Sequence, residues 1–388
     1  MPVRNRIAEL TPEIARWRHD FHAHPELLFD VDRTAGKVAE LLRAFGCDEV
    51  VTGIGRTGVV GVIKGRDGGA GRAIGLRADM DALPIHEATG LPHASTIPGR
   101  MHACGHDGHT AMLLGAAKYL CETRNFDGRA VVIFQPAEEG GAGGREMVLD
   151  GLMERFAIAE VYGLHNAPGM PVGQFAIRPG PIMASADEFE ITVTGRGGHA
   201  AEPHLCIDTT LVAAQIVVSL HSMVARNINP LDRVVLTVGT FSTDSGASNI
   251  IAQTARLCGT VRALEPANRD IAERRVREIA EHTARAFGAE ARVIYERGYP
   301  PTINSAEHAG HAAAAARAVS GRCDDDTPPI MPAEDFSFML EARPGAYIFL
   351  GNGDSASCHH PAYEFDDGAI PFGASWFAEL VEARLTRG

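Results

Sequence analysis

The sequence lacks the charge balance and the cysteine pattern that mark several large classes of protein. Lys and Arg number 36 against 49 for Asp and Glu, so the formal net charge is −13. This balance argues against nucleic acid or an anionic membrane as a partner. The seven cysteines are an odd number, and none belongs to a C-x-x-C pair. We therefore expect free thiols in a reducing, cytoplasmic setting.

Long apolar runs are also scarce. Residues 1–10 contain no apolar stretch that would indicate a secretory signal, and we expect no segment that spans a membrane. Apolar residues make up 45% of the chain and charged residues 22%, which is typical of a globular protein. A chain of 388 residues is expected to form about two or three domains.

Three common catalytic motifs are absent from the sequence. It contains no G-x-S-x-G, no H-E-x-x-H and no G-x-x-x-x-G-K-[ST] pattern, which argues against the commonest serine hydrolases, zincins and P-loop proteins. Residues 53–58 match G-x-G-x-x-G, but a strand-like run at 59–63 follows where a dinucleotide-binding fold needs a helix. We interpret 53–58 as a hairpin turn. The strand that follows the match therefore argues against a dinucleotide-dependent oxidoreductase.

The most unusual stretch that is present is 101–109, with the sequence M-H-A-C-G-H-D-G-H. It brings a thiol, an acid and three imidazoles close together, and a thiolate two residues from an imidazole suits a divalent metal such as zinc. Taken alone, a C-x-H triplet is better explained as a helix start with a buried cysteine. Residues 18–24 are also rich in histidine, and we expect that cluster to be solvated or to support a site rather than to bind metal.

Strand and helix patterns alternate over much of the chain. Apolar runs predict buried strands at 73–78, 130–134, 160–164 and 346–350. Helical periodicity predicts helices at 7–24, 33–45, 110–121, 144–150, 306–319 and 372–385. This alternation predicts an α/β fold, with a parallel or mixed central sheet flanked by helices. Ligand-type side chains follow several of the strands, and in such sheets ligands collect beyond the carboxyl ends of the strands.

The pattern changes between residues 184 and 297. Phe189, Ile191 and Val193 alternate with polar residues, which indicates a strand with one wet face. The predicted order is strand, helix, strand, strand, helix, strand (βαββαβ), the split βαβ unit of ferredoxin-like domains. We therefore predict that 184–297 is an inserted lid or dimerisation domain, and that 1–183 and 298–388 form a discontinuous catalytic metal-binding domain.

The loops after the predicted strands supply a plausible ligand set for one or two divalent ions: Cys104, His106, Glu139, His165 and His359. Five ligands exceed the four of a tetrahedral structural site, and two ions can share the set if one ligand bridges them. The thiolate of Cys104 is the best bridging candidate. Glu138 lies beside Glu139, and adjacent residues point in different directions, so Glu138 can act as general base toward a metal-activated water.

Four segments together resemble a known family. Residues 77–84 (R-A-D-M-D-A-L-P), 101–109, 134–139 (F-Q-P-A-E-E) and 163–166 (G-L-H-N) are similar to the dinuclear-metal amidohydrolases of the aminoacylase/carboxypeptidase superfamily. The closest branch contains hippurate hydrolase, N-acyl-amino-acid amidohydrolases and plant auxin-conjugate hydrolases. The resemblance implies a catalytic α/β domain with an inserted dimerising domain, and it implies the same five ligands with Glu138 as the base.

The resemblance also implies roles that the residues alone do not assign. His199 matches a lid histidine that reaches a neighbouring subunit's site and stabilises the oxyanion. Asn249 and Arg262 match contacts to the substrate carboxylate, for which the planar fork of arginine is suited. Asp81 matches a residue that orients a ligand. His360 is an alternative to His359, and the matching pair Glu334 and Asp335 receives no role.

The function implied by this resemblance is metal-dependent hydrolysis of an amide bond in N-acyl amino acids, with hippurate-like, N-acetyl amino acid or small dipeptide substrates. It implies two divalent metal ions per subunit, and Mn, Zn, Co and Ni all suit a Cys/His/Glu set. We expect a small-molecule substrate as partner and a homodimer or homotetramer as assembly. The alternative is a metal-holding protein that binds acylated amino acids or peptides without turnover, which would leave Glu138 without a purpose.

Overall fold

The computed structural model describes residues 4–386. The helices are α1 (Asn5–Ala23), α2 (Asp32–Phe45), α3 (His106–Thr123), α4 (Gly143–Leu149), α5 (Leu152–Arg155), α6 (Thr209–Asn227), α7 (Pro266–Ala286), α8 (Ala306–Ser320), α9 (Ser337–Ala342) and α10 (Ile370–Arg384). The strands are β1 (Glu49–Ile54), β2 (Gly58–Lys64), β3 (Ala73–Asp79), β4 (Arg129–Gln135), β5 (Ile158–Ala167), β6 (Phe175–Ala176), β7 (Gly180–Met183), β8 (Asp187–Thr194), β9 (Gly198–His199), β10 (Val234–Thr243), β11 (Ile250–Ile251), β12 (Thr254–Ala263), β13 (Glu290–Arg297), β14 (Thr302–Asn304), β15 (Cys323–Asp324) and β16 (Gly345–Gly351).

The chain divides into two compact units. Unit 1 contains the described residues of Met1–Ile182 together with Ile303–Pro328 and Asp335–Gly388. Unit 2 contains Met183–Thr302 and the short segment Pro329–Glu334. The sequence pattern predicts boundaries at 183/184 and 297/298.

The segment Pro329–Glu334 belongs to unit 2, although the sequence pattern assigns 298–388 to the catalytic domain. Ile330 forms an isolated parallel bridge with Met183. The guanidinium of Arg233 donates a hydrogen bond to the carbonyl of Pro329. These contacts join residues far apart in the sequence, and no local periodicity signals them.

Unit 1 is built on an eight-stranded sheet with the order β1-β2-β4-β3-β5-β16-β6-β15. The neighbours β4, β3, β5 and β16 run parallel, whereas β1, β2 and β4 pair antiparallel, so the sheet is mixed. Strands β2, β3, β4 and β16 are almost entirely buried, as expected when both faces of a sheet are covered. Helices α1, α2, α3, α8 and α10 contribute to the same hydrophobic core. The predicted α/β class is confirmed.

The register of the parallel strands gathers their carboxyl ends at one edge of the sheet. Asp79 at the end of β3 is level with Gln135 at the end of β4. On the other side, Arg77 of β3 is level with Gly163 of β5, two residues before His165. Residues that directly follow β3 and β4 therefore lie near His165, which is the arrangement expected of a binding edge.

Unit 2 contains a four-stranded antiparallel sheet with the order β10-β12-β8-β13. Its elements follow the chain as β8-α6-β10-β12-α7-β13, which is the predicted βαββαβ arrangement. Phe189, Ile191 and Val193 point into the core shared with α6 and α7, and the polar residues between them are more exposed. The ferredoxin-like prediction is thereby confirmed.

Helix α6 does not meet the expectation that no segment could span a membrane. By length and composition alone it is long and apolar enough to do so. In unit 2, however, Val212, Ile216 and Leu220 form a buried stripe at helical spacing against the sheet. Asp208 caps the helix by accepting hydrogen bonds from two main-chain nitrogens of its first turn. The apolar composition therefore has an explanation in the core of unit 2.

The G-x-G-x-x-G match at 53–58 is a hairpin, as predicted. Strands β1 and β2 pair antiparallel around it, with Ile54 opposite Gly58. Gly53 and Gly55 have φ of +85° and +56°, a region that glycine enters without steric cost. No helix begins there, so the dinucleotide-binding arrangement is absent from this hairpin.

Candidate metal centre

Cys104 and His106 lie on either side of a glycine that precedes α3. Gly105 has φ of +90°, and a Cβ there would collide with the side chains of Asn166 and Tyr363. Helix α3 begins at His106, earlier than the predicted start at 110, so His106 projects from a helix end rather than from a loop. An acid, Asp107, occupies the first turn, where the helix dipole favours it.

The first group of candidate ligands is Cys104, His106 and His165, whose ligand atoms lie within 4.8 Å of one another. Cys104 Sγ is 3.4 Å from Nε2 of His165. Nδ1 of His165 lies 2.6 Å from the carbonyl oxygen of Asn166. Since Nδ1 donates its proton to that carbonyl, Nε2 keeps its lone pair for a metal.

The second group is Cys104, Glu139 and His359, within the same limit. The main-chain nitrogen of His359 donates to the carbonyl of Ala103 at 2.7 Å, and its φ of +68° is a strained conformation of the kind found at functional sites. His360 is exposed, and it belongs to no candidate group among the described residues. The two groups together contain all five predicted ligands, and Cys104 belongs to both groups.

The donor atoms fit a divalent cation. His106 Nε2 is buried without a hydrogen-bond partner, 4.0 Å from Glu139 Oε1. The same Oε1 lies 3.1 Å from His359 Nε2 yet accepts no hydrogen bond of suitable geometry. Close, buried ligand atoms without mutual hydrogen bonds are expected where a cation binds between them. The thiol of Cys358, together with burial, raises the pKa of Cys104 well above its usual value, so a thiolate there needs a cation beside it.

Asp81 contacts the candidate ligands through both its side chain and its main chain. Its carboxylate accepts hydrogen bonds from the main-chain nitrogens of Glu138 and Glu139 at 3.0 and 3.1 Å. The ring of His106 instead makes its shortest contact, 2.9 Å from Nδ1, with the main-chain carbonyl of Asp81, while the carboxylate lies 3.4 Å away. Asp81 thus orients His106 through its main chain and holds the glutamate pair through its side chain.

His109 and Asp79 are part of the site although neither was assigned a role there. They form a candidate ligand group with His106, but both ring nitrogens of His109 already have partners. Nδ1 lies 2.7 Å from Asp79 Oδ1, and Nε2 accepts a hydrogen bond from the main-chain nitrogen of Asn166. His109 therefore supports the centre rather than binding metal. The sequence offers one clue to this role, since His109 follows His106 by three residues and therefore lies on the same face of α3.

Asn166 and Tyr363 are further residues that sequence reasoning missed. Asn166 Nδ2 donates to the carbonyl of Cys104 at 2.6 Å, and the phenol of Tyr363 donates to Asn166 Oδ1 at 2.8 Å. Asn166 follows the candidate ligand His165 directly, which is a usable clue. No sequence pattern points to Tyr363, because its contact depends on tertiary packing alone.

Glu138 is 7% exposed and borders the ligand groups. One of its carboxylate oxygens lies within 4.8 Å of ligand atoms of His106 and Glu139. The five candidate ligands form their two groups without it, so this carboxylate borders the centre without belonging to either group.

The predicted substrate-contacting residues lie in unit 2. His199 is on β9, opposite Ile250 of β11, and the main-chain nitrogen of Ala200 donates to the carbonyl of Asn249 at 3.0 Å. His199 and Asn249 are therefore neighbours at one exposed two-stranded antiparallel sheet, formed by β9 and β11. Arg262 is on β12, and its guanidinium donates to Thr260 Oγ1 and to the carbonyl of Val261.

The histidine-rich stretch 18–24 divides into exposed and buried residues. His19 is partly exposed and pairs with Asp367 at 2.7 Å, whereas His22 is buried and contacts Asp107 at 2.9 Å. Asp107 follows the candidate ligand His106 in the chain. Among the described residues, neither histidine belongs to a candidate metal group.

A mixed α/β sheet with Cys, His and Glu ligands at its carboxyl edge, beside one further carboxylate, is the arrangement of a metal-dependent hydrolase. The model of peptidase family M20/M25/M40 matches residues 75–383. The chain belongs to that family, and the predicted resemblance is confirmed.

Individual relatives agree with this assignment. Hippurate hydrolase of Campylobacter jejuni is 41% identical over 377 residues, 97% of either chain. N-acetyl-L-cysteine deacetylase of Bacillus subtilis is 39% identical, over 98% of this chain and 89% of that protein. The structure of a dinuclear metal binding peptidase of the M20 family from Bacillus subtilis has a TM-score of 0.85 and 33% identity, covering 97% and 99% of the two chains. The chain is therefore a metal-dependent amidohydrolase that uses divalent ions, as predicted.

Proposed function

We propose that this protein hydrolyses the amide bond of N-acyl amino acids, releasing a carboxylic acid and an amino acid. The observation that carries the proposal is the convergence of four further ligand-type residues on Cys104, with Glu138 alongside. The names of the relatives, hippurate hydrolase and N-acetyl-L-cysteine deacetylase, support this substrate class. Hippurate-like compounds, N-acetyl amino acids and small dipeptides are the candidates.

Two divalent ions per subunit would be held by His106 and His165 on one side, by Glu139 and His359 on the other, and by Cys104 between them. Mn, Zn, Co and Ni all suit this donor set, and availability decides among them. When bound, such ions polarise the amide carbonyl and lower the pKa of water.

Glu138 is proposed as the general base and then the general acid. It accepts the proton of the attacking water and delivers it to the nitrogen of the leaving amine. Support comes from its burial and from the hydrogen bond of its main-chain nitrogen to Asp81. That bond fixes the main chain from which the carboxylate projects.

Unit 2 is proposed to recognise the substrate. Arg262 is partly buried, and among the described residues its hydrogen bonds go to no carboxylate. Burial lowers the pKa of Arg262, so a cation in this position gains from a bidentate carboxylate ligand. Asn249 would contact the same carboxylate, and His199 would stabilise the developing oxyanion of a neighbouring subunit's substrate.

The proposed assembly is a homodimer, with a homotetramer as the alternative, in the cytoplasm. The seven cysteines are free, in agreement with a reducing compartment. Val218 and Leu211 of α6 are exposed apolar side chains seven residues apart, on one side of the helix, and exposed apolar side chains support self-association.

The test is hydrolysis of a panel of N-acyl amino acids by metal-stripped protein and by protein refilled with Mn, Zn, Co or Ni. We expect no release of amino acid from the stripped protein and release after refilling, with the best substrate and ion identified together. Tight binding of the panel compounds to folded, metal-loaded protein without any product would instead favour the metal-holding binding protein.

A further inference from the structure

Asp335 is a fully buried carboxylate that no step of the proposed reaction uses. Both of its oxygens accept hydrogen bonds from Gln135 Nε2, at 2.7 and 2.9 Å. Oδ2 also accepts from the main-chain nitrogen of Gly144 at 2.8 Å, and Oδ1 accepts from the guanidinium of Arg77 at 3.0 Å. A buried carboxylate with this many donors is held firmly in one orientation.

Two of the three donors to Asp335 come from the two ends of one loop. Gln135 is the last residue of β4, and Gly144 lies in the first turn of α4. Residues 136–142 between them carry Glu138 and Glu139. Asp335 therefore fixes the distance between the ends of the loop from which the proposed base and one proposed ligand project.

The loop has a conformation that its own sequence does not favour. Ala137 and Ala142 have φ of +53° and +54°, a left-handed region that costs a non-glycine residue energy and persists only when the surroundings impose it. Asp81 holds the middle of the loop through the nitrogens of Glu138 and Glu139. Asp335 supplies the restraint at both ends.

Arg77 connects this restraint to the rest of the centre. Its guanidinium contacts Asp79 at 2.6 Å and donates to Gln135 Oε1 at 2.9 Å, in addition to its bond to Asp335. Asp79 in turn contacts His109. The buried charge of Asp335 is thereby balanced by Arg77 within a network that extends to α3.

We propose that Asp335 is a positioning residue that holds loop 136–142 so that Glu139 can bind metal and Glu138 can transfer a proton. The part that concerns Glu138 rests on the proposed function, whereas the part that concerns Glu139 requires only metal binding. A purely structural role would affect the folding free energy alone, so the two roles are separable.

The test variant is Asp335→Asn, which keeps the size of the side chain but presents an N–H where Gln135, Gly144 and Arg77 all offer N–H groups. We expect the affinity of metal-stripped protein for Mn²⁺, measured by calorimetry, to fall about 10- to 100-fold, the range seen when a residue that supports a metal ligand is changed. At saturating Mn²⁺ we expect kcat to fall by a similar factor with KM within about twofold, since the loss concerns the transition state.

The matched control is Glu160→Gln. Glu160 is also fully buried in unit 1 and accepts hydrogen bonds from Arg384 and Arg72, but it lies near the start of β5 and touches no part of loop 136–142. We expect it to lower the melting temperature while leaving Mn²⁺ affinity and kcat near the parent values. If Asp335→Asn does not fold, Gln135→Met removes the donor at one end of the loop and should show a smaller loss of affinity.

Parent-like Mn²⁺ affinity in Asp335→Asn, or a loss no larger than that of Glu160→Gln, would overturn the proposal. The calorimetric result is independent of turnover. If the parent protein binds Mn²⁺ but cleaves no N-acyl amino acid, the proposed function fails while the role of Asp335 toward Glu139 is still decided by affinity.

Discussion

The phenol of Tyr363 donates a hydrogen bond of 2.8 Å to Oδ1 of Asn166, and both side chains are buried in unit 1. The side-chain amide of Asn166 in turn restrains Cys104, because its nitrogen donates a hydrogen bond to the carbonyl of Cys104 at 2.6 Å. Gly105 packs against both side chains. A residue near the end of the chain therefore fixes the main chain of the ligand shared by both groups.

The change Tyr363→Phe removes only the phenolic oxygen that donates the hydrogen bond to Asn166. Because Asn166 then loses the donor that orients it, we expect Mn²⁺ affinity to fall about tenfold. The free energy of unfolding should fall by about 1 kcal/mol for the lost hydrogen bond. Calorimetry and urea unfolding measure the two quantities.

Tyr295→Phe is the control for this prediction. The phenol of Tyr295 donates to Asp187 at 2.9 Å within unit 2, so its loss should lower the free energy of unfolding without changing Mn²⁺ affinity. Equal Mn²⁺ affinities for Tyr363→Phe and the parent would show that the phenol does not support the centre.

Glu138→Gln tests the proposed base. The amide has the shape of the carboxylate but cannot accept the proton of water, so kcat should fall by about 10²- to 10⁴-fold. Metal content, measured by elemental analysis after gel filtration, should stay at the parent value because the five ligands are intact. Glu139→Gln should instead lose metal. Substantial turnover by a metal-loaded Glu138→Gln variant would remove Glu138 from its proposed role.

Cys104→Ala tests the shared ligand. Cys104 belongs to both ligand groups, so its loss should lower the amount of metal bound and abolish hydrolysis together. Cys258→Ala is the matched control, since Cys258 is a free thiol on β12 of unit 2. Full metal content in Cys104→Ala would contradict a bridging thiolate.

The candidate ligands can be picked out in the sequence because most lie beside an element whose pattern is strong: His106 begins α3, His165 lies near the end of β5, and Glu139 and His359 follow β4 and β16. Strand β4 contains the apolar run 130–134, and Glu139 and His165 carry donor types that a core does not need. Only the structure favours His359 over His360, because among the described residues the ring of His359 belongs to a candidate metal group and that of His360 does not. Two adjacent histidines in one loop carry no periodic signal that would distinguish them.

The missed elements share a physical cause. Strands β6, β9, β11 and β15 are two residues long, too short for any alternation of side chains to be visible. The segment Pro329–Glu334 joins unit 2 through contacts with distant residues. Within the site, the role of the Asp81 side chain could not be predicted for the same reason. Its carboxylate accepts hydrogen bonds from the main-chain nitrogens of two residues far along the chain.

The stability of the metal-stripped protein should depend on the protonation of His22. Burial by itself would lower the pKa of this imidazole, but Asp107 and Glu87 outweigh burial and raise its pKa to about 9. A raised pKa stabilises the folded state fully below the unfolded value of about 6.5, and the stabilisation is lost as pH rises through about 9. The contribution is on the order of 3 kcal/mol.

Urea unfolding of the parent and of His22→Gln from pH 6 to pH 10 measures this contribution. The difference between their free energies of unfolding should shrink as pH rises, because Gln does not titrate. Arg18 also contacts Asp107, at 3.1 Å, and is present in both proteins, so its effect cancels. A difference that is constant over this range would show that folding does not raise the pKa of His22.

The last prediction concerns a site shared between subunits. If His199 serves the active site of a neighbouring subunit, His199→Ala and Glu138→Gln are each inactive for a different reason. In a mixed dimer, one site then combines an intact Glu138 from one subunit with an intact His199 from the other. We expect the two inactive variants to recover part of the parent activity after they are mixed and allowed to exchange subunits.

The comparison requires mixed dimers of known composition, obtained with two different affinity tags and tandem purification. Random exchange yields one functional site in each mixed dimer, so purified mixed dimers should reach about half the parent kcat per dimer if the sites act independently. Each variant exchanged only with itself is the control and should stay inactive. Verified mixed dimers without activity would place His199 in the site of its own subunit, or outside the chemistry altogether.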